Sequence, residues 1–151
     1  MKLGIIVYLV ILILGGTFDL FPNFYFNLGD LRYFLDLGSL VIVLPPTIVF
    51  AIGAYSWETY GKTWSIPFGN PENCEQSELI EVNKCLNFMG NMSVMMGIIG
   101  TFIGVILSLN FLVKGADLTG SIALVVVSLF YGILFKALFM FATSKVEKYI
   151  K

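Results

Sequence analysis

Four long apolar runs constrain the fold of this chain more than any other feature. They cover roughly residues 3–21, 39–56, 89–113 and 119–143. A helix needs about 20 apolar residues to cross roughly 30 Å of hydrocarbon. The mean hydropathy of +0.88 and a charged fraction of only 13% agree with this interpretation. We therefore predict an all-α integral membrane protein with four transmembrane helices in a single domain, residues 1–151.

An aromatic segment separates the first two predicted helices. The run at 3–21 could also be a secretory signal peptide, because Lys2 precedes it and small residues follow it, but we interpret it as a helix. Residues 17–38 are rich in Phe and Tyr and suit a segment lying in the membrane interface. The second helix, 39–56, contains two adjacent prolines, which predict a kink.

The second half of the chain is predicted to hold a loop and two more helices. Residues 57–76 predict a loop, because Gly, Pro and Asn cluster there. The third helix follows at 77–113. A helix of about 36 residues measures roughly 54 Å, which exceeds the bilayer. We therefore expect its first turns to extend into the cytoplasm. A short turn then leads into the fourth helix, 119–146.

The Lys and Arg residues indicate the orientation of the chain. One side of the membrane would hold Lys2, Lys62, Lys84, Lys145, Lys148 and Lys151, and the other only Arg32 and Lys114. The positive-inside rule then places both termini and residues 57–88 in the cytoplasm. Cys74 and Cys85 would be reduced thiols there.

The composition argues against several kinds of site. The chain has no His, so neither His-based acid–base chemistry nor a zinc site is expected. A net charge of −1 gives no basic surface for nucleic acid. No cluster of His, Cys or acidic residues lies at membrane depth. We therefore expect neither an enzyme nor a bound cofactor or metal.

The third helix carries one face of small and weakly polar residues. At 100° per residue, the members of this face are Ser93, Gly97, Gly100, Thr101, Gly104 and Ser108. Small residues allow membrane helices to approach closely. Thr101 is the hydroxyl at the centre of this face, so it is a candidate for contact with a pore.

Three stretches together resemble the MotA/TolQ/ExbB proton-channel family. Residues 97–104, Gly-Ile-Ile-Gly-Thr-Phe-Ile-Gly, resemble the family's GLLGTvxG signature. Residues 122–134 in the fourth helix resemble the iAxAlxtTlyGl stretch. Gly15-Gly16 and then residues 34–44 resemble the GG…fxdxxSlliVl start of the MotA branch. The predicted topology of four helices, with the larger cytoplasmic segment after the second, is also similar to that of the family.

The resemblance implies a ring-forming subunit of a machine driven by the proton-motive force in the bacterial inner membrane. Five copies would surround the single helices of two MotB/ExbD/TolR-type partner chains, whose Asp accepts the proton. This chain would then supply the wall of the ion path. The residues expected to line it are Thr101, Ser128, Gly97, Gly104 and Gly132. A partner acid suits this chain, because residues 82–116 contain no carboxylate.

The chain departs from the family pattern at several positions. The family's Thr in the fourth helix is Leu129 here, with Ser128 one step earlier. The family's Pro before the third-helix signature is Val94. In place of the MotA-type Gly-Gly-Thr, the second helix has Pro-Pro-Thr at residues 45–47. The cytoplasmic segment is also much shorter than in flagellar stators.

Several of these residues have a simpler interpretation. Glu78, Glu81 and Lys84 are candidates for contact with a cytoplasmic partner, or they form a solvated helix end. The Thr101 hydroxyl could bond to a carbonyl one turn back. Lys136 could extend toward the headgroups or point inward near the pore exit. The alternative for the whole chain is a non-conducting four-helix structural or adaptor protein.

The orientation can be tested with the cysteines. A membrane-impermeant thiol reagent applied to intact cells should fail to label Cys74, because the predicted topology places it in the cytoplasm. Labelling after permeabilisation is the control that the thiol is reactive. Rapid labelling from outside would show that the orientation is reversed. A Cys74–Cys85 disulfide would likewise favour the adaptor alternative.

Overall fold

The computed structural model describes residues 18–19, 25–26, 36–69, 71–114 and 119–151. The chain divides into two compact units, Met1–Leu37 and Gly38–Lys151, and the single domain expected from the sequence stays a prediction. We describe each unit by itself.

In the first unit, two short strands pair antiparallel. They are β1 (Phe18–Asp19) and β2 (Tyr25–Phe26), with Phe18 opposite Phe26. The prediction of a helix as far as residue 21 is therefore wrong at its end. A helix there is also disfavoured by the nearby Pro22, because proline lacks a backbone N–H and clashes with the preceding turn. The rest of the predicted helix 3–21, and most of the interfacial segment 17–38, lies outside the described residues.

The second unit is helical throughout its described part. Its elements are α1 (Leu37–Tyr55), α2 (Trp57–Phe68), a 3₁₀ turn (Pro71–Asn73), α3 (Gln76–Val113) and α4 (Thr119–Glu147). The bounds of α1, α3 and α4 agree to within two residues with the second, third and fourth predicted helices. Their long apolar runs, with glycine as the main interruption in α3, explain why these helices could be located from the sequence.

Three of these helices are long and apolar enough to cross a membrane. They are α1, α3 and the Val125–Glu147 part of α4. The 38 residues of α3 correspond to about 57 Å at 1.5 Å per residue. The chain is thus an α-helical multi-pass membrane protein, as the sequence predicts.

The predicted loop 57–76 is wrong over its first part, because residues 57–68 form α2. The Ser56 hydroxyl accepts a hydrogen bond from the Thr59 backbone N–H, and Glu58 lies in the first turn, where a negative charge is favoured. The turn signals are real, but they cluster at residues 67–71. They end the helix and do not mark the whole segment as a loop.

The two prolines of the second predicted helix lie inside α1. The buried residues of α1 recur every fourth position, at Ser39, Val43, Thr47 and Ala51, which places them on one face of the helix. The Thr47 hydroxyl donates to the Val43 carbonyl oxygen at 2.7 Å. The kink at the prolines stays a prediction.

The apolar core lies where α2 packs against the start of α3 and the end of α4. Buried residues there include Ile66, Leu79 and Val146. Two hydrogen bonds join the helices in the same region. The Lys145 ammonium donates to the Pro67 carbonyl oxygen at 2.6 Å, and the Gln76 amide nitrogen donates to the carbonyl of residue 149 at 2.9 Å. The end of α4 is therefore attached to both α2 and α3.

Candidate functional site

The candidate site is the seam along which α3 and α4 pack against each other. It is the most extensive helix–helix contact of the described chain. A Cβ added to Gly97 would lie 2.9 Å from the Ser128 carbonyl oxygen and 3.0 Å from the Gly132 Cα. A Cβ added to Gly132 would lie 2.8 Å from the Ser93 carbonyl oxygen. The two backbones are therefore in direct contact, and only glycine fits at these two positions.

The contact extends along α3 through two more glycines. A Cβ at Gly104 would lie 2.7 Å from a Val125 methyl group and 2.9 Å from the Val125 backbone nitrogen. At Gly100 it would lie 2.7 Å from the Ser128 Cβ and 3.1 Å from a methyl group of Ile42 in α1. Gly100 thus allows α1 and α4 to pack on α3 at the same height.

Two hydroxyl groups form hydrogen bonds across the seam. The Ser93 hydroxyl is fully buried, 2.8 Å from the Gly90 carbonyl oxygen and 3.1 Å from that of Gly132. Thr101 Oγ1 lies 3.0 Å from the Gly97 carbonyl oxygen and 3.1 Å from the Val125 carbonyl oxygen. Ser93 and Thr101 therefore each bridge α3 to the backbone of α4 and also bond within α3.

The predicted pore residues occupy two kinds of position. Gly97, Gly104, Gly132 and Ser128 are buried between the helices of the single chain, so here they pack α3 against α4. Only Thr101 is partly exposed. The expected intrahelical bond of Thr101 is present, together with a second bond to α4 that sequence reasoning did not anticipate. A pore-lining role for the five residues stays a prediction.

Ser93 is the seam residue that sequence reasoning left without a role. Its position on the small-residue face of the third helix was visible from the spacing. Its bond to Gly132 depends on the relative height of α3 and α4, which the sequence does not contain.

The three charged residues predicted to contact a partner differ in what they bind within the chain. The Lys62 ammonium lies 2.8 Å from a carboxylate oxygen of Glu58 and 2.8 Å from one of Glu78. The Thr59 hydroxyl donates to Glu81 at 3.4 Å. Glu78 and Glu81 therefore tie α2 to α3, whereas Lys84 is exposed. Contact with a partner stays a prediction for all three.

The electrostatics of Lys62 follow from this arrangement. The hydrogen bonds to Glu58 and then to Glu78 raise the pKa of Lys62 above its ordinary value, because opposite charges and acceptors favour the charged form. Since the group is exposed, this ion pair positions α2 and contributes little to stability.

Lys136 contacts α3 within the chain, and both of its predicted roles stay predictions. Its ammonium donates to the Asn91 side-chain oxygen of α3, and its methylene groups cover Gly90, where an added Cβ would lie 3.2 Å from the Lys136 Cδ. The lysine thus continues the α3–α4 contact beyond the glycine seam.

The comparison with known proteins agrees with this architecture. The MotA/TolQ/ExbB proton channel family matches residues 72–151, more than half of the chain, and this region contains α3, α4 and the seam. The chain therefore belongs to the MotA/TolQ/ExbB proton channel family. Neither the curated proteins nor the solved structures include a match to it.

The seam can be tested by adding one methyl group. Gly132→Ala should lower the melting temperature of the protein in mild detergent, because overpacking costs about 1–3 kcal/mol and its neighbours are backbone atoms. Gly53→Ala in α1 is the matched control, because nothing lies within 4 Å of the added Cβ. Circular dichroism melting measures both. Equal melting temperatures for the two variants would show that the α3 and α4 backbones are not in contact.

Proposed function

We propose that five copies of this chain form a ring, and that α3 and α4 of each copy line an ion path around a partner helix. The partner would be of the MotB/ExbD/TolR type and present in two copies. An Asp in its membrane-spanning helix would accept and release the proton. Flow of protons down their gradient would then drive a motor or energy-transducing machine. Membership in a proton channel family supports the ion path, and the residues of the seam support the division of labour between the two chains.

The absence of an acid from the long apolar stretches of α3 and α4 supports a partner that brings its own. No carboxylate occurs in residues 82–116, nor from residue 118 to 146. An ionisable group inside the membrane is expensive unless polar groups accompany it. In these stretches the chain therefore offers hydroxyl and carbonyl groups near the path, but no carboxylate.

The hydrogen bonding of Thr101 is the single observation that carries the proposal. Its hydroxyl proton is shared between the carbonyl oxygens of Gly97 and Val125. A hydroxyl has one donor and two acceptor lone pairs, so the remaining capacity of Thr101 is to accept. It suits a protonated carboxyl group, which must donate one hydrogen bond and would otherwise be unsatisfied at membrane depth.

Orientation follows from charge. In the proposed ring both termini and the α2 region lie in the cytoplasm, and the start of α3 extends beyond the bilayer, because α3 is about 57 Å long. The membrane would be the bacterial inner membrane, where a proton crossing 100 mV releases about 2.3 kcal/mol.

The ring can be tested by mass. Native mass spectrometry of the complex extracted in mild detergent should give five copies of this chain, with or without two copies of a smaller partner. The small-residue faces of α3 and α4 are already filled within one chain, so contacts between copies would use the exposed apolar residues, for example Phe102 and Ile106. Detection of monomers and dimers alone would contradict the ring.

The role of Thr101 can be separated from packing by two substitutions. Thr101→Val keeps the shape and removes the hydroxyl, and Thr101→Ser keeps the hydroxyl. We expect both variants to form the ring, because an interhelical hydrogen bond in a membrane contributes only about 0.6 kcal/mol. Only Thr101→Ser should retain proton flux in vesicles containing the complex purified from its own cells.

Two outcomes would contradict this assignment. Normal proton flux through Thr101→Val would show that Thr101 only packs α3 against α4. Loss of the ring in Thr101→Val, but not in Thr101→Ser, would show that the bond to Val125 holds the assembly together.

A further inference from the structure

A single residue joins α1 to α2. Ser56 has φ 83°, the one positive φ found at a non-glycine residue in the described part of the chain. Its hydroxyl accepts from the Thr59 backbone N–H at 3.4 Å. The chain therefore leaves α1, which is apolar enough to span a membrane, and enters α2 with no intervening loop. The start of α2 must lie at the level where α1 ends.

Aromatic side chains form a stripe along one face of α2. The stripe consists of Trp57, Tyr60, Trp64 and Phe68, which fall within about 80° of one another at 100° per residue. Successive rings from Trp57 to Trp64 lie 5.9 and 6.2 Å apart between centroids. Large parts are uncovered, with 70% of Trp57, 46% of Trp64 and 48% of Phe68 exposed.

The remaining two faces of α2 are already used. Thr59, Thr63 and Ile66 are buried against the rest of the unit. Glu58 and Lys62 form the charged face, where Lys62 is held by Glu78 of α3. The aromatic stripe is therefore the apolar surface of α2 that the chain itself covers only in part.

The contacts of neighbouring residues show how α2 lies relative to α3. Lys62 reaches Glu78 at 2.8 Å, whereas Trp64 lines a small apolar cavity of about 60 Å³ together with Met89 and Ser93. Along α3, Glu78 and Met89 are about 16 Å apart, but Lys62 and Trp64 are only about 3 Å apart along α2. Lys62 therefore lies beside Glu78 while Trp64 lies near Met89. We conclude that α2 crosses α3, so that its charged and aromatic faces lie at different heights along α3.

One member of the stripe, Trp64, lies beside the uncharged part of α3. After Lys84 no residue of α3 is charged, and the next charged residue is Lys114, just beyond its end. Met89 and Ser93, which line the same cavity as Trp64, lie inside that uncharged run. The ring of Trp64 also lies 6.3 Å from that of Phe139 in α4. The charged face of α2 contacts Glu78, near the end of α3 that carries its charged residues.

We propose that α2 lies in the membrane interface, with its aromatic stripe buried in the lipid of the leaflet that α1 enters at Ser56. Lipid is the occupant because the exposed stripe begins one residue from a membrane-spanning helix and lies beside the uncharged part of α3. Trp and Tyr favour the headgroup level, where an apolar ring meets a polar environment. An amphipathic helix with its charges on the opposite face is the usual form of such an anchor.

The arrangement would give α2 two attachments. Lys62, with Glu78, and Lys145, which binds the Pro67 carbonyl oxygen, hold α2 to the protein. The aromatic stripe would hold it to the bilayer and so set the depth of α3. This inference concerns the lipid surface and holds whether or not the chain conducts protons.

The two tryptophans of the whole chain, Trp57 and Trp64, both belong to the stripe. Tryptophan fluorescence of the protein in lipid vesicles therefore reports on α2 alone. The variants Trp64→Phe and Trp57→Phe each leave one reporter. The vesicles would contain phosphatidylcholine brominated either near the headgroup or near the end of the acyl chain, and iodide would be the quencher from water.

We expect each single-tryptophan protein to lose most of its emission with bromine near the headgroup, less with bromine near the chain end, and little with iodide. A control places a tryptophan at an exposed position of α1, Val49→Trp, in a chain that lacks the other two. That emission should be quenched most by bromine near the chain end.

Strong quenching by iodide and weak quenching by brominated lipid would overturn the proposal, because the stripe would then face water. Quenching by neither reagent would also overturn it and would show that protein, a second copy or a partner, covers the stripe.

Discussion

The backbone contact between α3 and α4 is the constraint on which the rest of the helical unit depends. Gly97 faces Gly132 so closely that an added Cβ would meet backbone atoms at 2.8–3.0 Å. In a membrane there is little hydrophobic force to bring apolar helices together, so close packing and interhelical hydrogen bonds must do it. The glycines provide the packing, and the hydroxyls of Ser93 and Thr101 provide bonds across the seam.

The same glycines explain how polar groups come to lie near the helix crossing. Without a side chain at Gly97 or Gly132, carbonyl oxygens of α4 come within reach of hydroxyls on α3. Thr101 can then satisfy its donor on the backbone and keep its acceptor capacity free. A helix pair separated by larger side chains would hold the hydroxyls too far from the opposite carbonyls for these bonds.

The region beyond the seam is organised differently, by burial and ion pairs. There α2 packs against α3 and α4 around Ile66, Leu79 and Val146, and Lys62 and Lys145 bind groups on neighbouring elements. The aromatic stripe of α2 stays partly exposed. The unit thus combines a rigid helix pair with a short crossing helix joined to α1 through Ser56.

The sequence by itself determined which segments become α1, α3 and α4, since long apolar runs specify membrane helices by length alone. It also placed Gly97, Gly104 and Thr101 on one helix face, because helical periodicity is a local property, and its motifs indicated the family. Local signals misjudged α2, where turn residues near position 67 outweighed the aromatic periodicity before them. Only the tertiary structure decided that Gly132 meets Gly97, that Ser128 is buried, and that Thr101 bonds to Val125. Those facts depend on the relative height and rotation of α3 and α4, which are set by contacts between residues far apart in the chain.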